Sequence, residues 1–192
     1  IRALSQEGLV SIRRGVGTFV TGPRLDILSN IAELHSITKI IQQHGWTPGT
    51  RNPLMREEEP DGELVERLQM KAKGKILHVE RVRTADGKPV FFSIQKVGKP
   101  ELIEKLRHWD MDDSINKFIQ QECGVFITHA VTEILPIKSS QEIASKMGVS
   151  EEVPILLMDQ IQYDRNNEPI FRSYDYYRTD VFRFNLIRTL RV

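Results

Sequence analysis

Residues 81–93, with the sequence R-V-R-T-A-D-G-K-P-V-F-F-S, carry the clearest structural signal in this chain. Two strand-like runs flank a polar turn at residues 85–87, a pattern typical of a β-hairpin. A looser copy, Q-I-Q-Y-D-R-N-N-E-P-I-F-R-S, occupies residues 160–173. The chain is therefore predicted to contain two similar hairpins. Since hairpins join antiparallel strands, we expect a mainly antiparallel sheet.

The turn of the first hairpin predicts where its side chains point. A three-residue loop ending in Gly87 suits a type I turn closed by a left-handed glycine, which places Arg81 opposite Phe91 and Val79 opposite Ser93. Strand residues alternate between the two faces of a sheet. One predicted face holds Arg81, Arg83, Phe91 and Ser93, and the other holds Val82, Val90, Phe92 and Ile94. The arginine pair is then either solvated or part of an anion site.

The composition is that of an ordinary globular protein. Of 192 residues, 40% are hydrophobic and 28% are charged, so neither disorder nor a fibrous repeat is indicated. The net charge of +1 argues against a uniformly basic surface, although four arginines against one glutamate give the first 24 residues a local charge of +3. The single cysteine, Cys123, predicts a reduced, buried thiol in a cytosolic protein. No apolar run approaches the roughly 18 to 20 residues of a membrane span.

The first residues predict the end of a helix followed by a small basic hairpin. Residues 1–6 have the pattern of a last helical turn that stops at Gly8, and two short strand-like runs, 9–13 and 16–20, flank Arg14 and Gly15. The sequence I-R-A-L-x-x-E-G-L-V-x-x-R-x-G-x-G-T-F-V resembles the end of the recognition helix and the wing of GntR-type winged helix-turn-helix repressors. The start lacks Met and a signal-peptide pattern, so we expect the chain to begin within a longer protein.

The resemblance implies a DNA-binding segment. A recognition helix enters the major groove and a basic wing lies along phosphates or in the minor groove. The implied DNA-binding residues are Arg2, Arg13, Arg14, Gly15, Gly17 and Thr18. Because most of the winged helix-turn-helix is absent from this sequence, we expect the fragment alone to bind DNA poorly. The alternative is an ordinary edge hairpin.

The rest of the chain divides into a linker and one larger domain. Residues 21–30 contain Pro and Gly and show no convincing period, which predicts an interdomain linker. The predicted domains are residues 1–22 for the incomplete winged helix-turn-helix, 23–35 for the linker and 36–192 for the larger domain. In the larger domain, helices are predicted at 36–44, 64–68, 101–107, 114–122 and 140–147. Strands are predicted there at 125–137 and 182–187, in addition to the two hairpins.

This larger region resembles the effector-sensing UTRA domain of the HutC branch of GntR regulators. The resemblance is carried by L-H-S-I-T and H-G-W-T-P-G-T near the start, by R-V-R-T-A-D-G-K-P-V in the first hairpin, and by Y-R-T-D-x-F-R-F near the end. It implies an α+β domain with the chorismate-lyase-like fold, in which helices flank a mainly antiparallel sheet. It also implies a metabolite-binding cleft over that sheet.

The resemblance also implies effector-contacting residues. Arg81 and Arg83 match such positions on the first hairpin, and Tyr177 matches one before the R-T-D motif. The resemblance assigns effector contacts to five further positions, namely Ser93, Asp113, Ser114, Phe171 and Ser173. Paired guanidiniums bind carboxylate or phosphate, and a helix start at Ser114 adds amide donors. The implied effector is a small anion such as a sugar phosphate or an organic acid. In amino-sugar-phosphate sensors of this branch, glutamates stand at Ser93 and Phe171, so an amino-sugar effector is not indicated.

An enzyme is the main alternative, because fold relatives of the domain include a lyase. The sequence shows no Ser/His/Asp arrangement, no glycine-rich phosphate loop and no Cys/His metal spacing, and its five histidines are scattered (His35, His44, His78, His108 and His129). We therefore expect a non-enzymatic protein that needs no metal or cofactor. A metabolite-binding domain joined to a DNA-binding segment predicts a cytoplasmic, dimeric transcriptional repressor. A stand-alone binding module is the other alternative.

A mechanism follows from this arrangement. Effector bound between the two hairpins is expected to reposition the linker at residues 21–30 and to change the spacing of two DNA-binding heads in a homodimer, since operator half-sites demand a fixed separation. Gln160 and Gln162 of the second hairpin stand where the first has its arginines. The anion is therefore expected nearer the first hairpin.

Overall fold

The architecture is a six-stranded antiparallel sheet with helices on both faces. The structure, a computed structural model, describes residues 10–13, 15, 17–20, 27–31, 33–70 and 74–186. Its strands are β1 (Val10–Arg13), β2 (Gly17–Val20), β3 (Ile27–Asn30), β4 (Pro48–Glu58), β5 (Ile76–Ala85), β6 (Lys88–Val97), β7 (Ile127–Lys138), β8 (Pro154–Asp164), β9 (Pro169–Arg178) and β10 (Phe182–Asn185). Its helices are α1 (Ile37–Gln43), α2 (Gly62–Arg67), α3 (Pro100–Leu106), α4 (Ile115–Cys123) and α5 (Gln141–Met147).

The two predicted hairpins form the centre of the sheet. The strand order is β4-β5-β6-β9-β8-β7, and all neighbours run antiparallel. Hairpin β5–β6 and hairpin β8–β9 therefore meet along the β6–β9 pair. The predicted α+β fold with a mainly antiparallel sheet is confirmed.

The predicted register of the first hairpin is wrong by two residues. Arg81 pairs with Ser93 and Arg83 pairs with Phe91. The turn has two residues rather than three, with Asp86 and Gly87 both at positive φ (48° and 77°), and the register shifts between Arg83 and Thr84. Such a bulge adds one residue to β6, and Val90 packs in the same apolar cluster as Phe91 instead of on the opposite face. The predicted shared face of Arg81, Arg83, Phe91 and Ser93 is unaffected.

Helix boundaries follow from capping residues. Ser36, Asp61, Ser114 and Ser140 each accept a hydrogen bond from a first-turn amide of α1, α2, α4 and α5, respectively. Gly124 and Gly148 end α4 and α5 in the left-handed conformation. The helices predicted at 36–44, 64–68, 114–122 and 140–147 are observed with small boundary shifts.

The two sheet faces carry different cores. One face packs against α2 and α5 through clusters that include Leu64 with Ile76, and Met147 with Phe92. The other face carries two apolar clusters. One lies around Phe171 with α3 and α4, and the second lies around Phe91 with α1 and β10. A strip of polar residues on the sheet separates these two clusters, and it forms the floor of the site described below.

Two short strand pairs lie outside the main sheet. β1 and β2 form an antiparallel hairpin where the wing was predicted. β3 pairs in parallel with β10, so that Ile27 stands opposite Phe182 and Ser29 opposite Phe184. β3 lies inside the segment predicted as linker, and Ile27 is fully buried. The predicted helix at residues 1–6 lies outside the described residues. Within the described ranges, no helix is long and apolar enough to cross a membrane.

Candidate functional site

A cavity of about 270 Å³ lies over the polar strip of the sheet. Its floor comes from strands β5 to β9, and its walls come from the segment before α1, the first turn of α1, the first turn of α4, and the β3–β10 pair. The volume is slightly below the roughly 300 to 1,000 Å³ of ordinary ligand sites. Both Ser36 and Ser114, the caps of α1 and α4, line it.

Arg81 is the cation of the cavity floor. Its guanidinium is almost fully buried and lies 4.3 Å from the centroid of the Trp109 ring. Nη1 donates to the carbonyl oxygens of Met111 and Asp113, both at 2.9 Å, and Nε has no hydrogen-bond partner among the described residues. Burial and the neighbouring Arg83 charge lower the pKa of Arg81 to about 9. The side chain is therefore a buried positive charge at neutral pH.

Asp175 is the carboxylate of the same floor. It stands two strands from Arg81 in the cross-strand row Arg81–Ser93–Asp175. Its Oδ2 accepts hydrogen bonds from Gln160 Nε2 and from Ser173 Oγ, whereas Oδ1 has no partner among the described residues. Burial raises the pKa of Asp175 to about 7, and the hydrogen bonds and the Arg81 charge oppose that rise. The carboxyl is thus poised to change its charge near neutral pH.

Buried amide side chains complete the polar strip. Gln95, Gln160 and Gln162 line the cavity, and each is less than 7% exposed. In the sheet register, Gln95 stands opposite Ser173, which in turn stands opposite Gln160. Gln160 Oε1 accepts from the Thr132 hydroxyl at 3.1 Å. The floor therefore offers neutral donors and acceptors beside one cation and one carboxyl group.

Tyr177 joins the floor to the β3–β10 pair. Its ring makes edge-on contacts with Phe91, Phe182 and Phe184 at centroid distances of 4.7, 5.1 and 5.0 Å. Burial raises the pKa of Tyr177 well above its ordinary value. The phenol is therefore neutral at physiological pH and forms part of an aromatic wall.

The comparison with known protein families decides what kind of domain holds this cavity. The sequence profile of the UTRA domain matches residues 32–183, which include every strand of the main sheet. This chain belongs to the UTRA-domain family. The predicted resemblance is thereby confirmed.

Two characterised proteins that are similar to this UTRA chain are transcriptional repressors. It is 28% identical over 182 residues to the HTH-type transcriptional repressor NagR of Bacillus subtilis, covering 94% of this chain and 73% of NagR. It is 23% identical over 188 residues to the mannosyl-D-glycerate transport/metabolism system repressor MngR of Escherichia coli, covering 97% of this chain and 77% of MngR. The crystal structure of PhnF from Mycobacterium smegmatis shares the fold, with a TM-score of 0.78 at 24% identity over 99% of this chain and 82% of PhnF.

Three of the predicted effector-contacting residues line the cavity of this UTRA domain: Arg81, Ser114 and Tyr177. Arg83 lies on the same face of the sheet as Arg81 and Tyr177, but it does not line the cavity. Its fully buried guanidinium donates to Thr38 Oγ1, Thr50 Oγ1 and the carbonyl of Asp112. In this structure Arg83 therefore ties α1 and β4 to the loop before α4.

The other predicted contacts lie beside the cavity rather than on its wall. Ser93 is buried and accepts a hydrogen bond from Gln95, and Ser173 donates to Asp175. Asp113 pairs with Lys117 across the first turn of α4. Phe171 is fully buried in the apolar cluster with α3 and α4. Contact between these residues and an effector stays a prediction.

The predicted DNA-binding residues are only partly within the described chain. Gly15 and Gly17, both at positive φ, and Thr18 are exposed on the β1–β2 hairpin. Arg13 lies at the end of β1, without a described side chain, and Arg2 and Arg14 lie outside the described residues. Their role in DNA binding stays a prediction.

Several residues that line the cavity were not predicted from the sequence, above all Gln95, Asn116 and Asp175. The available signal was polar residues at alternate positions inside otherwise apolar strands, namely Ser93 with Gln95 and Ser173 with Asp175. Two of the histidines taken as scattered, His35 and His129, also line the cavity. Within the described ranges, no group of three or more His, Cys, Asp or Glu side chains could hold a metal ion.

Proposed function

We propose that this chain is the effector-sensing part of a transcriptional repressor, in which a small anionic metabolite binds in the cavity and changes operator binding by a dimeric DNA-binding region. The observation that carries the proposal is Arg81. Its direct hydrogen bonds go to carbonyl oxygens and its guanidinium lies over an aromatic ring, whereas the nearby carboxylates of Asp175, Asp112 and Asp113 act on it only through their charge, and Nε is left without a partner among the described residues. A buried guanidinium in that condition favours a phosphate or carboxylate ligand.

The first turn of α4 supports the same position for the anion. Ser114, Ile115 and Asn116 line the cavity, and Arg81 bonds the carbonyls just before this helix. The positive end of the helix dipole and the guanidinium therefore act on one region. This agrees with the expectation that the anion lies nearer the first hairpin than the second.

The route from the cavity to the DNA-binding region is through β3. Ser29 of β3 and Phe184 of β10 stand opposite each other and both line the cavity, and Phe184 contacts Tyr177. β3 follows directly after residues 21–26, which connect it to the β1–β2 hairpin. A ligand that contacts Tyr177 or Ser29 would therefore act on β3, the strand that follows this connecting segment. A difference of about 1 to 3 kcal/mol between two states is enough for regulation.

We further propose that the protein acts in the cytoplasm as a homodimer, since an operator with two-fold symmetry is bound by two identical subunits. The edge strand β7 supports an interface there, since Val131 and Leu135, which share one face of the strand, are 62% and 41% exposed. A run of exposed apolar residues on a sheet edge is a surface that a second subunit can cover.

The ligand proposal is tested by thermal-shift screening with phosphorylated sugars, other phosphates and organic acids. A stabilising anion is expected, and its effect should be lost in Arg81→Ala, because the buried cation is removed. Arg51→Ala, which deletes an exposed guanidinium on β4, is the matched control and should keep the effect. Circular dichroism verifies that Arg81→Ala is folded. Equal stabilisation of wild type and Arg81→Ala would contradict the assignment.

The regulatory proposal is tested with the full-length protein and the DNA upstream of its own gene. A mobility shift that the stabilising anion weakens or strengthens is expected. An anion that binds without any change in the DNA shift would support a stand-alone binding module. Chemical conversion of the anion by the protein would support the enzyme alternative.

A further inference from the structure

The amide and carboxyl side chains around the cavity lack hydrogen-bond donors. Among the described residues, the atoms of these side chains that are buried without a partner are all oxygens, namely Oδ1 of Asp175, Oε1 of Gln95, Oε1 of Gln162 and Oδ1 of Asn116. Buried polar atoms are ordinarily paired, because an unpaired one keeps the cost of leaving water. Since these oxygens are shielded from solvent, the missing donor is expected within the protein itself.

Asp175 is the member of this group that can supply a donor. An ionised carboxylate only accepts hydrogen bonds, whereas a protonated carboxyl group also donates one. Gln160 and Ser173 donate to Oδ2 of Asp175, which leaves Oδ1 as the atom for the proton. In the sheet register Gln95 stands opposite Ser173, so Gln95 lies on the diagonal from Asp175, within reach of a long side chain. A proton on Oδ1 therefore has an unpaired acceptor nearby.

Arg81 is the charged group that opposes this protonation. It stands in the cross-strand row Arg81–Ser93–Asp175, and its Nη1 donates to the carbonyls of Met111 and Asp113. Burial raises the pKa of Asp175, whereas the hydrogen bonds to Oδ2 and the charge of Arg81 lower it. An anion that binds Arg81 neutralises that charge and adds a like charge near Asp175. Both effects favour the protonated carboxyl group.

From this arrangement we infer that binding of an anion at Arg81 is coupled to uptake of a proton from solvent by Oδ1 of Asp175, so that pH sets the affinity for the effector. The inference rests on the proposed function, which places the anion at Arg81. Affinity is then highest below the pKa of Asp175 in the ligand-free domain, about 7. It falls as pH rises through that value, because the free protein then holds fewer protons than the complex.

Other titratable groups near the cavity have to be separated from Asp175. Besides Arg81 and its neighbour Arg83, they are His35 with its ion-pair partner Glu33 before α1, His129 on β7, Tyr177 on β9, and Asp112 and Asp113 in the loop before α4. Burial raises the pKa of Tyr177 well above its ordinary value, so the phenol stays neutral. Of these side chains, histidine is the type that ordinarily titrates near neutral pH. His35 and His129 are therefore the residues that control variants remove.

Carbon-13 NMR of the Asp175 carboxyl group tests the inference on the purified wild-type chain. The resonance is assigned through its own backbone and followed from about pH 5 to about pH 9, with sodium chloride as the reference and with sulfate, lactate and each stabilising anion of the thermal-shift panel in turn. Sulfate and lactate keep a constant charge above about pH 6, whereas a phosphate monoester titrates near there. A midpoint at about pH 7 is expected for the free protein. A bound anion should raise this midpoint by about one pH unit or more.

Calorimetry with the same anions shows whether Asp175 causes the pH dependence of affinity. Wild type is expected to bind about fivefold or more tightly at pH 6 than at pH 8. Asp175→Asn keeps the shape and always offers a donor, so it should bind equally at both pH values, close to wild type at pH 6. His35→Gln, His129→Gln and Asp180→Asn, the last at a carboxylate that does not line the cavity, should each keep the wild-type ratio between the two pH values.

The outcomes separate this inference from the proposed function. An Asp175 midpoint that the bound anion leaves unchanged or lowers overturns the inference, while loss of binding in Arg81→Ala upholds the proposed function. An affinity ratio that persists in Asp175→Asn overturns the inference as well, and its disappearance in His35→Gln or His129→Gln assigns the proton to that histidine. Failure of sulfate, lactate and the whole thermal-shift panel to bind overturns both.

Discussion

Asp175 combines burial with incomplete hydrogen bonding, and this gives folding a defined pH dependence. Its pKa in the folded protein, about 7, lies above its ordinary value of 3.8 because of burial. A raised pKa in the folded protein means that the folded state binds the proton of Asp175 more tightly than the unfolded state does. The contribution of this carboxyl group to the free energy of unfolding is therefore fully present below the unfolded pKa and is lost as pH rises through about 7.

We predict that the Asp175 carboxyl group makes the free energy of unfolding fall by about 2 to 3 kcal/mol between pH 5 and pH 8. Asp175→Asn, which keeps the shape and removes the titration, should lack this component. Urea unfolding at several pH values in that range measures it. Asp180→Asn is the control. Its pKa is lowered by the hydrogen bond from Arg178, so Asp180 is ionised throughout this range and its loss should not alter the slope. The same slope in wild type and Asp175→Asn would contradict the prediction.

Arg83 is predicted to matter for stability, through the three elements that its guanidinium joins. Arg83→Met should lower the free energy of unfolding by about 2 to 4 kcal/mol, because the hydroxyls of Thr38 and Thr50 and the carbonyl of Asp112 lose a buried charged donor. Arg51→Met, at an exposed position of β4, should change it by less than about 0.5 kcal/mol. Urea denaturation measures both. A loss below about 1 kcal/mol for Arg83→Met would show that the bonds are weak.

The different surroundings of Arg81 and Arg83 show which features of a binding site can be predicted from sequence. Their spacing placed both on one face, and that is observed. Whether a guanidinium meets a cavity or a loop depends on how residues 110–113 fold back over β5, and no local pattern encodes that contact. For Asp175, the alternation with Ser173 was a local signal of a polar face, but its partners could not be predicted because they come from other strands.

Among the helices and strands, we predict that the end of α4 requires a glycine, because Gly124 has a left-handed backbone conformation. Gly124 has φ 67°, and a Cβ built there would meet nothing within 4 Å. Gly124→Ala should therefore cost about 1 kcal/mol of unfolding free energy through backbone strain alone. Gly62→Ala, at the first residue of α2, also meets open space but has no positive φ, so it should be neutral or slightly stabilising. Thermal or urea unfolding compares the two. Equal costs would argue against strain.

Element positions were largely predictable because capping residues and alternation are local signals. Ser36, Ser114, Ser140, Gly124 and Gly148 each mark a helix end where expected. The register of the first hairpin was not predictable in this way. A two-residue turn with a bulge at Val90 and a three-residue turn both fit A-D-G-K-P, and tertiary packing of Val90 beside Phe91 distinguishes them. Strand β3 was missed because its partner, β10, is about 150 residues away in sequence.

At the scale of the whole molecule, binding of effector and of operator DNA should be coupled reciprocally. If the effector changes DNA affinity of the full-length protein by a given factor, DNA must change effector affinity by the same factor, expected to be about 5- to 150-fold. Fluorescence anisotropy with labelled operator and calorimetry with effector measure the two sides. Ile27→Ala, which truncates the fully buried residue of β3, should reduce the coupling factor more than it reduces effector affinity. Coupling that is unchanged in Ile27→Ala would exclude β3 as the connection.

The β3–β10 pair has a practical consequence for where the domain can be cut. The UTRA profile starts at residue 32, but a fragment begun there would lack Ile27 and Ser29, the partners of Phe182 and Phe184. Phe182 and Phe184, which pack on Tyr177, would then lose their partner strand, and Phe184 lines the cavity. Because Ile27 is fully buried, we expect such a fragment to be less stable and to bind ligand differently from the longer chain. An expression boundary upstream of residue 27 keeps this wall intact.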